Sequence, residues 1–132
     1  HIEILCGNAR QSVAFYLHRF GFTPIAYRGP ETGWRESASY VLRQGKITLV
    51  LTSPLKPSHW ISSHLLIHGD TVKDIALRVR ECEGFYQEVM RRGAVSASAP
   101  LRLEDDKGVA YRAAICTYGE TIHSIIEREG YT

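Results

Sequence analysis

His64 and His68 stand four residues apart in the string HLLIH. On a helix that spacing puts both imidazoles on one face, where two zinc ligands would sit. Leu65 holds the place of the general-base glutamate of a His-Glu-x-x-His motif, and no third ligand stands nearby in the sequence. Packing or polar contacts beside a connector are the simpler account of the pair. A second set is His1, Asp74 and His123, two histidines and a carboxylate of the kind that holds non-haem iron on one face. His1 and Asp74 open two matching stretches of chain, and the third ligand would come from the last strand. There His123, Ile125 and Glu127 share a face, with Ile125 in the middle. Hydrogen-bonded strand-end residues are the plainer reading. Glu31 and Glu36 flank a glycine-containing loop without pairing as acid and base, and Ser62 and Ser63 near His59 and His64 do not make a dyad. Gly-x-Ser-x-Gly, P-loop and Gly-x-Gly-x-x-Gly patterns are absent. The residues therefore assign no catalytic, cofactor-binding or metal-binding position.

The elements that would carry these side chains repeat. HIEILCGNARQSVAFYLHRFGFTP and DIALRVRECEGFYQEVMRRGAVSASAP each read as strand, helix, glycine stop and strand. In the first copy Asn8 is a helix N-cap, Val13, Tyr16, Leu17 and Phe20 form one helical face, and Gly21 ends the helix. In the second, Cys82, Phe85, Tyr86, Val89 and Met90 form the face and Gly93 is the stop. Phe22–Tyr27, Glu36–Arg43 and Ile47–Thr52 read as strands, with a hairpin turn at Gln44-Gly45. The connector that follows, from Ser53 to Gly69, is expected to hold a short helix over His59–His68. The second copy continues with Asp74–Val79, Ser96–Leu103, Val109–Thr117 and Thr121–Arg128 as strands. Two β-α-β-β-β units follow, over 1–53 and 72–128, in a single α+β domain spanning 1–132. Eight strands are expected in a curved mixed sheet, with the helices outside. One such unit cannot bury its apolar face alone.

A chain of 132 residues with net charge +2 carries no electrostatic footprint for nucleic acid. No apolar run approaches the ~20 residues of a membrane helix. Cys6, Cys82 and Cys116 all sit in apolar patterns, so buried free thiols and a cytoplasmic setting are expected. The opening at His1, without Met, reads as a trimmed start.

Four strings carry a resemblance. LCGNARQSVAFYLHRFGFTPIAYRGPETG, VLRQGKITLVLTSPL, HGDTVKDIALRV and TYGETIHSIIER resemble, in order and spacing, the N-terminal domain of the 4-hydroxyphenylpyruvate dioxygenase family, of vicinal oxygen chelate (glyoxalase-like) fold. The resemblance covers essentially the whole chain. It implies a two-domain enzyme of tyrosine catabolism that converts 4-hydroxyphenylpyruvate, a 2-oxo acid, and O2 to homogentisate and CO2. It implies non-haem Fe(II) held by two histidines and a glutamate of a C-terminal catalytic domain. The present segment is then a structural and assembly half, inactive alone, with that domain and a homo-oligomer (dimer or tetramer) as its partners. Where the catalytic half would carry histidine and glutamate, this chain has Asp74 and Ile125; only His1 keeps the ligand type. The same half of a 4-hydroxymandelate synthase, or a free-standing binding module, are the alternatives.

Overall fold

The computed structural model describes residues 1–130. They form two compact units, His1–Lys73 and a second from Asp74 on. The first unit is built as strand β1 (Ile2–Leu5), helix α1 (Ala9–Phe20), β2 (Thr23–Arg28), β3 (Ser37–Gln44), β4 (Ile47–Pro54) and helix α2 (Trp60–His68). Its strands are ordered β2-β3-β4-β1, with β1 parallel to β4 and the other pairs antiparallel. β5 (Thr71–Ile75) leads into the second unit, which continues with β6 (Leu77–Arg78), helix α3 (Cys82–Arg91), β7 (Val95–Asp105), β8 (Gly108–Cys116) and β9 (Ile122–Glu129). There β9 takes β5 and β6 as parallel neighbours and β8 as an antiparallel one, and β7 pairs β8. The strand expected over Asp74–Val79 is thus two strands broken at Ala76, and the described residues hold nine strands rather than eight.

Local chemistry explains the helix limits. Asn8 Oδ1 accepts from the Gln11 amide at 3.1 Å, and Gly21 ends α1 at φ +73°, a left-handed conformation that costs a side chain dearly. α3 is capped twice. Glu81 accepts from the Gly84 amide at 2.7 Å, and Glu127 reaches from β9 to the Cys82 amide at 2.6 Å. Both place carboxylates at the positive end of the helix.

Each unit buries one sheet face under its own helix. In the first, Cys6, Ala9, Leu42, Leu49 and Leu51 are buried, with Val13, Tyr16 and Tyr40 packed on them. In the second, Cys82, Tyr86, Ala113 and Ile125 are buried, flanked by Val89, Met90, Tyr111 and Ile115. The helical faces read from spacing are right at their centres and too wide at their ends. Phe20 and Phe85 are exposed, because each lies at the margin of the stripe that meets the sheet. Phe20 stacks instead on Phe15 and Tyr16 along the outside of α1. Cys6 and Cys82 are buried thiols, but Cys116 is exposed, because it closes β8 on the sheet face opposite Tyr111, Ala113 and Ile115. No helix among the described residues is long and apolar enough to cross a membrane.

Candidate functional site

The sheet face turned away from the helix carries a polar cluster in each unit. Alternation along a strand sends Ile2, Ile4, Leu49 and Leu51 to the helix side of the first unit, so Glu3 and Thr52 take the other. Thr52 Oγ1 donates to Glu3 Oε1 at 2.9 Å and lies 2.9 Å from Ser39 Oγ. A hydroxyl has one proton, so Ser39 is the donor to Thr52 and the chain runs Ser39 to Thr52 to Glu3. Beyond it, Trp34 Nε1 donates to Ser37 Oγ at 3.1 Å, and the Arg28 guanidinium lies over the Trp34 ring at 4.7 Å.

The second unit repeats the arrangement with different residues. Asp74 on β5 is 2% exposed. Its Oδ1 accepts from the Ser124 amide at 2.8 Å and its Oδ2 from Ser124 Oγ at 2.5 Å. Arg112 on β8 donates Nε and Nη2 to the same hydroxyl at 3.2 and 3.1 Å, and its Nη2 lies 3.7 Å from Asp74 Oδ2. In both units a carboxylate from the first strand meets a hydroxyl from the last strand, and a polar side chain from the strand between completes the set.

This settles where the sequence-derived positions lie. Asp74 spends both oxygens on Ser124, which satisfies a buried charge with charge-assisted hydrogen bonds. His123 Nδ1 faces the Ile75 carbonyl at 3.0 Å. Ile125 is fully buried against α3, and Glu127 caps that helix. The face His123–Ile125–Glu127 is therefore the helix-facing one, and the residue that meets Asp74 is Ser124. His1 is exposed at the start of the first unit. No group of three metal-capable side chains among the described residues includes His1, Asp74 or His123. These donors do not fit the two-histidine, one-glutamate iron set that the family implies: both strand-borne carboxylates are already occupied by hydroxyls.

The remaining positions have local partners. Tyr27 donates its phenol to Glu31 at 2.5 Å; that bond holds the Glu31 carboxyl below the usual range and pushes the phenol up to about 12. Glu36 is likewise held low by the Lys56 ammonium at 2.5 Å. His59 caps α2, accepting from the Ile61 amide at 3.3 Å. Ser62 donates to the Lys56 carbonyl at 2.8 Å, which takes it out of any nucleophilic pairing. An open cavity of about 680 Å³ in the first unit lies between the start of α1 and Asp70–Val72, with Cys6, Ser12, Phe15 and Tyr16 on its walls. Burial pushes the Cys6 thiol up, and the nearby Asp70 carboxylate adds to this, so the thiol is held neutral.

Glu3, Ser39, Thr52, Ser124 and Arg112 were not singled out by spacing. Their partners lie 12 to 50 residues away in sequence, and only strand register brings them together.

Comparison with known proteins places the chain. The family model "Hydroxyphenylpyruvate dioxygenase, HPPD, N-terminal" matches residues 1–129. The chain is 40% identical over 131 residues to a 4-hydroxyphenylpyruvate dioxygenase from Xenopus tropicalis, covering 98% of this chain and 33% of the relative. It is 41% identical over 145 residues to one from Aspergillus fumigatus, covering 99% and 36%. A mutant 4-hydroxymandelate synthase from Streptomyces coelicolor superposes with a TM-score of 0.87 at 28% identity, over 95% of this chain and 36% of the other. The chain thus spans about a third of the length of the curated relatives it matches. Its paired β-α-β-β-β units are of the glyoxalase-like, vicinal oxygen chelate fold. The chain belongs to the N-terminal domain family of the hydroxyphenylpyruvate dioxygenases.

Proposed function

We propose that this chain is the non-catalytic N-terminal half of an Fe(II)-dependent 4-hydroxyphenylpyruvate dioxygenase. The whole enzyme converts 4-hydroxyphenylpyruvate and O2 to homogentisate and CO2 in tyrosine catabolism. Iron and the 2-oxo acid substrate bind in a C-terminal half of the same polypeptide. The observation that carries this reading is the match over residues 1–129 to a domain filling only a third of its relatives. The chemistry of the two clusters supports it, since Glu3 and Asp74 are bonded to hydroxyls rather than left open for a metal. In this reading the two units make one domain, 1–132, whose role is to support the catalytic half and the subunit contacts of a homo-oligomer in the cytoplasm. Exposed leucines support a role in assembly: Leu101 and Leu103 along β7, and Leu66, 90% exposed, on α2. The unpaired thiols of Cys6, Cys82 and Cys116 fit a reducing compartment.

The test is direct. The native gene product should have two to three times the mass of this chain and form homogentisate from 4-hydroxyphenylpyruvate with Fe(II) and ascorbate. Residues 1–132 alone should form none. Homogentisate from the isolated chain, or a native product of one-domain mass, would overturn the reading. The likeness to the 4-hydroxymandelate synthase favours one second reading, the same half of an enzyme oxidising the benzylic carbon. Product analysis separates the two, because 4-hydroxymandelate and homogentisate are distinct compounds.

A further inference from the structure

His64 and His68 pack on each other along α2, ring centroids 4.6 Å apart, and Trp60 meets His64 edge-on at 6.4 Å. That is the packing their spacing on one helix face allows. The open polar group in this part of the first unit is Asp70, two residues past the helix. Its Oδ1 accepts from the Gly7 amide at 2.8 Å, across 63 residues of sequence. The bond ties together two walls of the cavity of about 680 Å³, a volume within the range of small-molecule sites. A third wall is one face of α1, where Asn8, Gln11, Ser12 and Phe15 recur at i, i+3, i+4 and i+7. We propose that this cavity binds a small primary ammonium ion carrying an apolar or aromatic body. The proposal goes beyond the dioxygenase reading and does not depend on it.

Charge sets the class of ligand. Asp70 is the only charged side chain among the residues lining the cavity, and the Cys6 thiol is held neutral by burial. Asp70 Oδ2 takes no hydrogen bond from another described residue. A carboxylate with an open oxygen attracts a cation and repels an anion. A 2-oxo acid therefore has the wrong charge for this cavity. An ammonium brings three donors. Asp70 Oδ2 takes one, and the Gln11 carboxamide, which has no side-chain bond to another described residue, offers its oxygen to a second. Asn8 Oδ1 and Asp70 Oδ1 already face the positive end of α1, which screens that end from a bound cation. Aromatic surface sets the body of the ligand. Tyr16 is packed on the core and meets Phe22 at 5.8 Å. Phe15 stands edge-to-face against Tyr16 at 5.4 Å and stays 53% exposed, leaving ring surface for a ligand to cover. Aromatic rings beside a carboxylate hold an ammonium by cation–π attraction and ion pairing together.

The experiment is titration of nitrogen-15-labelled chain with 2-phenylethylamine, followed by the amide resonances. Saturable shifts are expected at Gly7, Asn8, Gln11 and Thr71, together with a raised thermal midpoint, since a ligand that binds the folded state stabilises it. Phenylacetate, of similar size and opposite charge, should produce neither. Salt at about 1 M, where the screening length is about 3 Å, should weaken the amine. D70N keeps an oxygen for the Gly7 amide and so keeps the loop in place; it should weaken the amine by about threefold or more. F15A alters an exposed ring and should weaken it by a similar factor. D106N, in the hairpin turn of the second unit, should change nothing. Three results each overturn the proposal: no saturable shift at these amides up to about 10 mM amine, ten times a millimolar Kd; phenylacetate binding as tightly as the amine; or affinity unchanged in D70N or in F15A. None of them bears on homogentisate formation, so this site and the dioxygenase reading fail separately.

Discussion

Replacing Asp74 with alanine should destabilise the second unit by about 3 kcal/mol. The carboxylate is 2% exposed and accepts two bonds from Ser124, one from a backbone amide and one from a hydroxyl. Removing it leaves the Ser124 N–H buried without its acceptor, which costs about 1–3 kcal/mol. It also removes a hydroxyl bond to a charged group, of about 1.5–3 kcal/mol. The two overlap, because Ser124 Oγ keeps its contacts with Arg112. The ion pair adds little: Arg112 Nη2 stands 3.7 Å from the carboxylate and that side chain is half exposed. For a chain of this size, about 3 kcal/mol lowers the thermal midpoint by roughly 10 °C. Differential scanning calorimetry and urea unfolding would measure it, in D74A, S124A and the double variant. The two single changes should couple by about 1–2 kcal/mol, because each removes half of one bond. D74N keeps the shape and the acceptor for the Ser124 amide, so it should lose less than D74A. A midpoint within about 3 °C of the parent in D74A, or strictly additive losses in the double variant, would refute the view that Asp74 is spent on structure.

Three further outcomes follow from single residues. Cys116 should react with a thiol reagent in the folded chain, whereas Cys6 and Cys82 should react only on unfolding, a difference that mass spectrometry after brief alkylation reads. Tyr27 should ionise at about 12, and E31Q should return it towards 10 in an ultraviolet titration. The sign follows from linkage: a phenol raised from 10 to about 12 contributes stability below pH 10 that is lost as pH climbs through 12, while Glu31, held low by the same bond, contributes above its ordinary value and loses it as pH falls through the lowered one. G21A places a Cβ at φ +73° and should cost about 1 kcal/mol, read from the urea midpoint at unchanged slope.

Much of the fold was legible because it is written in local periodicity. Asn8 and Gly21 mark the ends of α1, and the period of Val13, Tyr16 and Leu17 marks its buried face. Tyr40 and Leu42 mark the helix side of β3, and Tyr111, Ala113 and Ile115 that of β8. The break of β5 from β6 was not legible, because Asp74 to Val79 alternates without a glycine or proline to mark the interruption at Ala76. The hairpin turn also shifted by one: β3 runs through Gln44, so the two-residue turn is Gly45-Lys46, with Gly45 at φ +57°.

The polar clusters were hidden for a different reason, and β9 shows it most clearly. Its sequence IHSIIERE offers polar and apolar residues on both faces, so alternation within the strand cannot say which one meets the helix. Reading His123, Ile125 and Glu127 as the ligand-bearing face is as consistent with β9 alone as the reverse. The neighbouring strand decides. β8 has an unambiguous apolar parity in Tyr111, Ala113 and Ile115, and antiparallel register sets Ala113 opposite Ile125. Directly paired residues share a face, so Ile125 must enter the core under α3 and Ser124 must point the other way, beside Ala114 and towards Asp74. The same logic in the first unit sets Leu51 opposite Tyr40 on the helix side and Thr52 opposite Ser39 on the other, where Glu3 meets them. A one-residue choice of face thus separates an imagined ligand set from two carboxylate–hydroxyl pairs. Residues of a neighbouring strand, rather than the candidate residues themselves, carry the information that makes the choice.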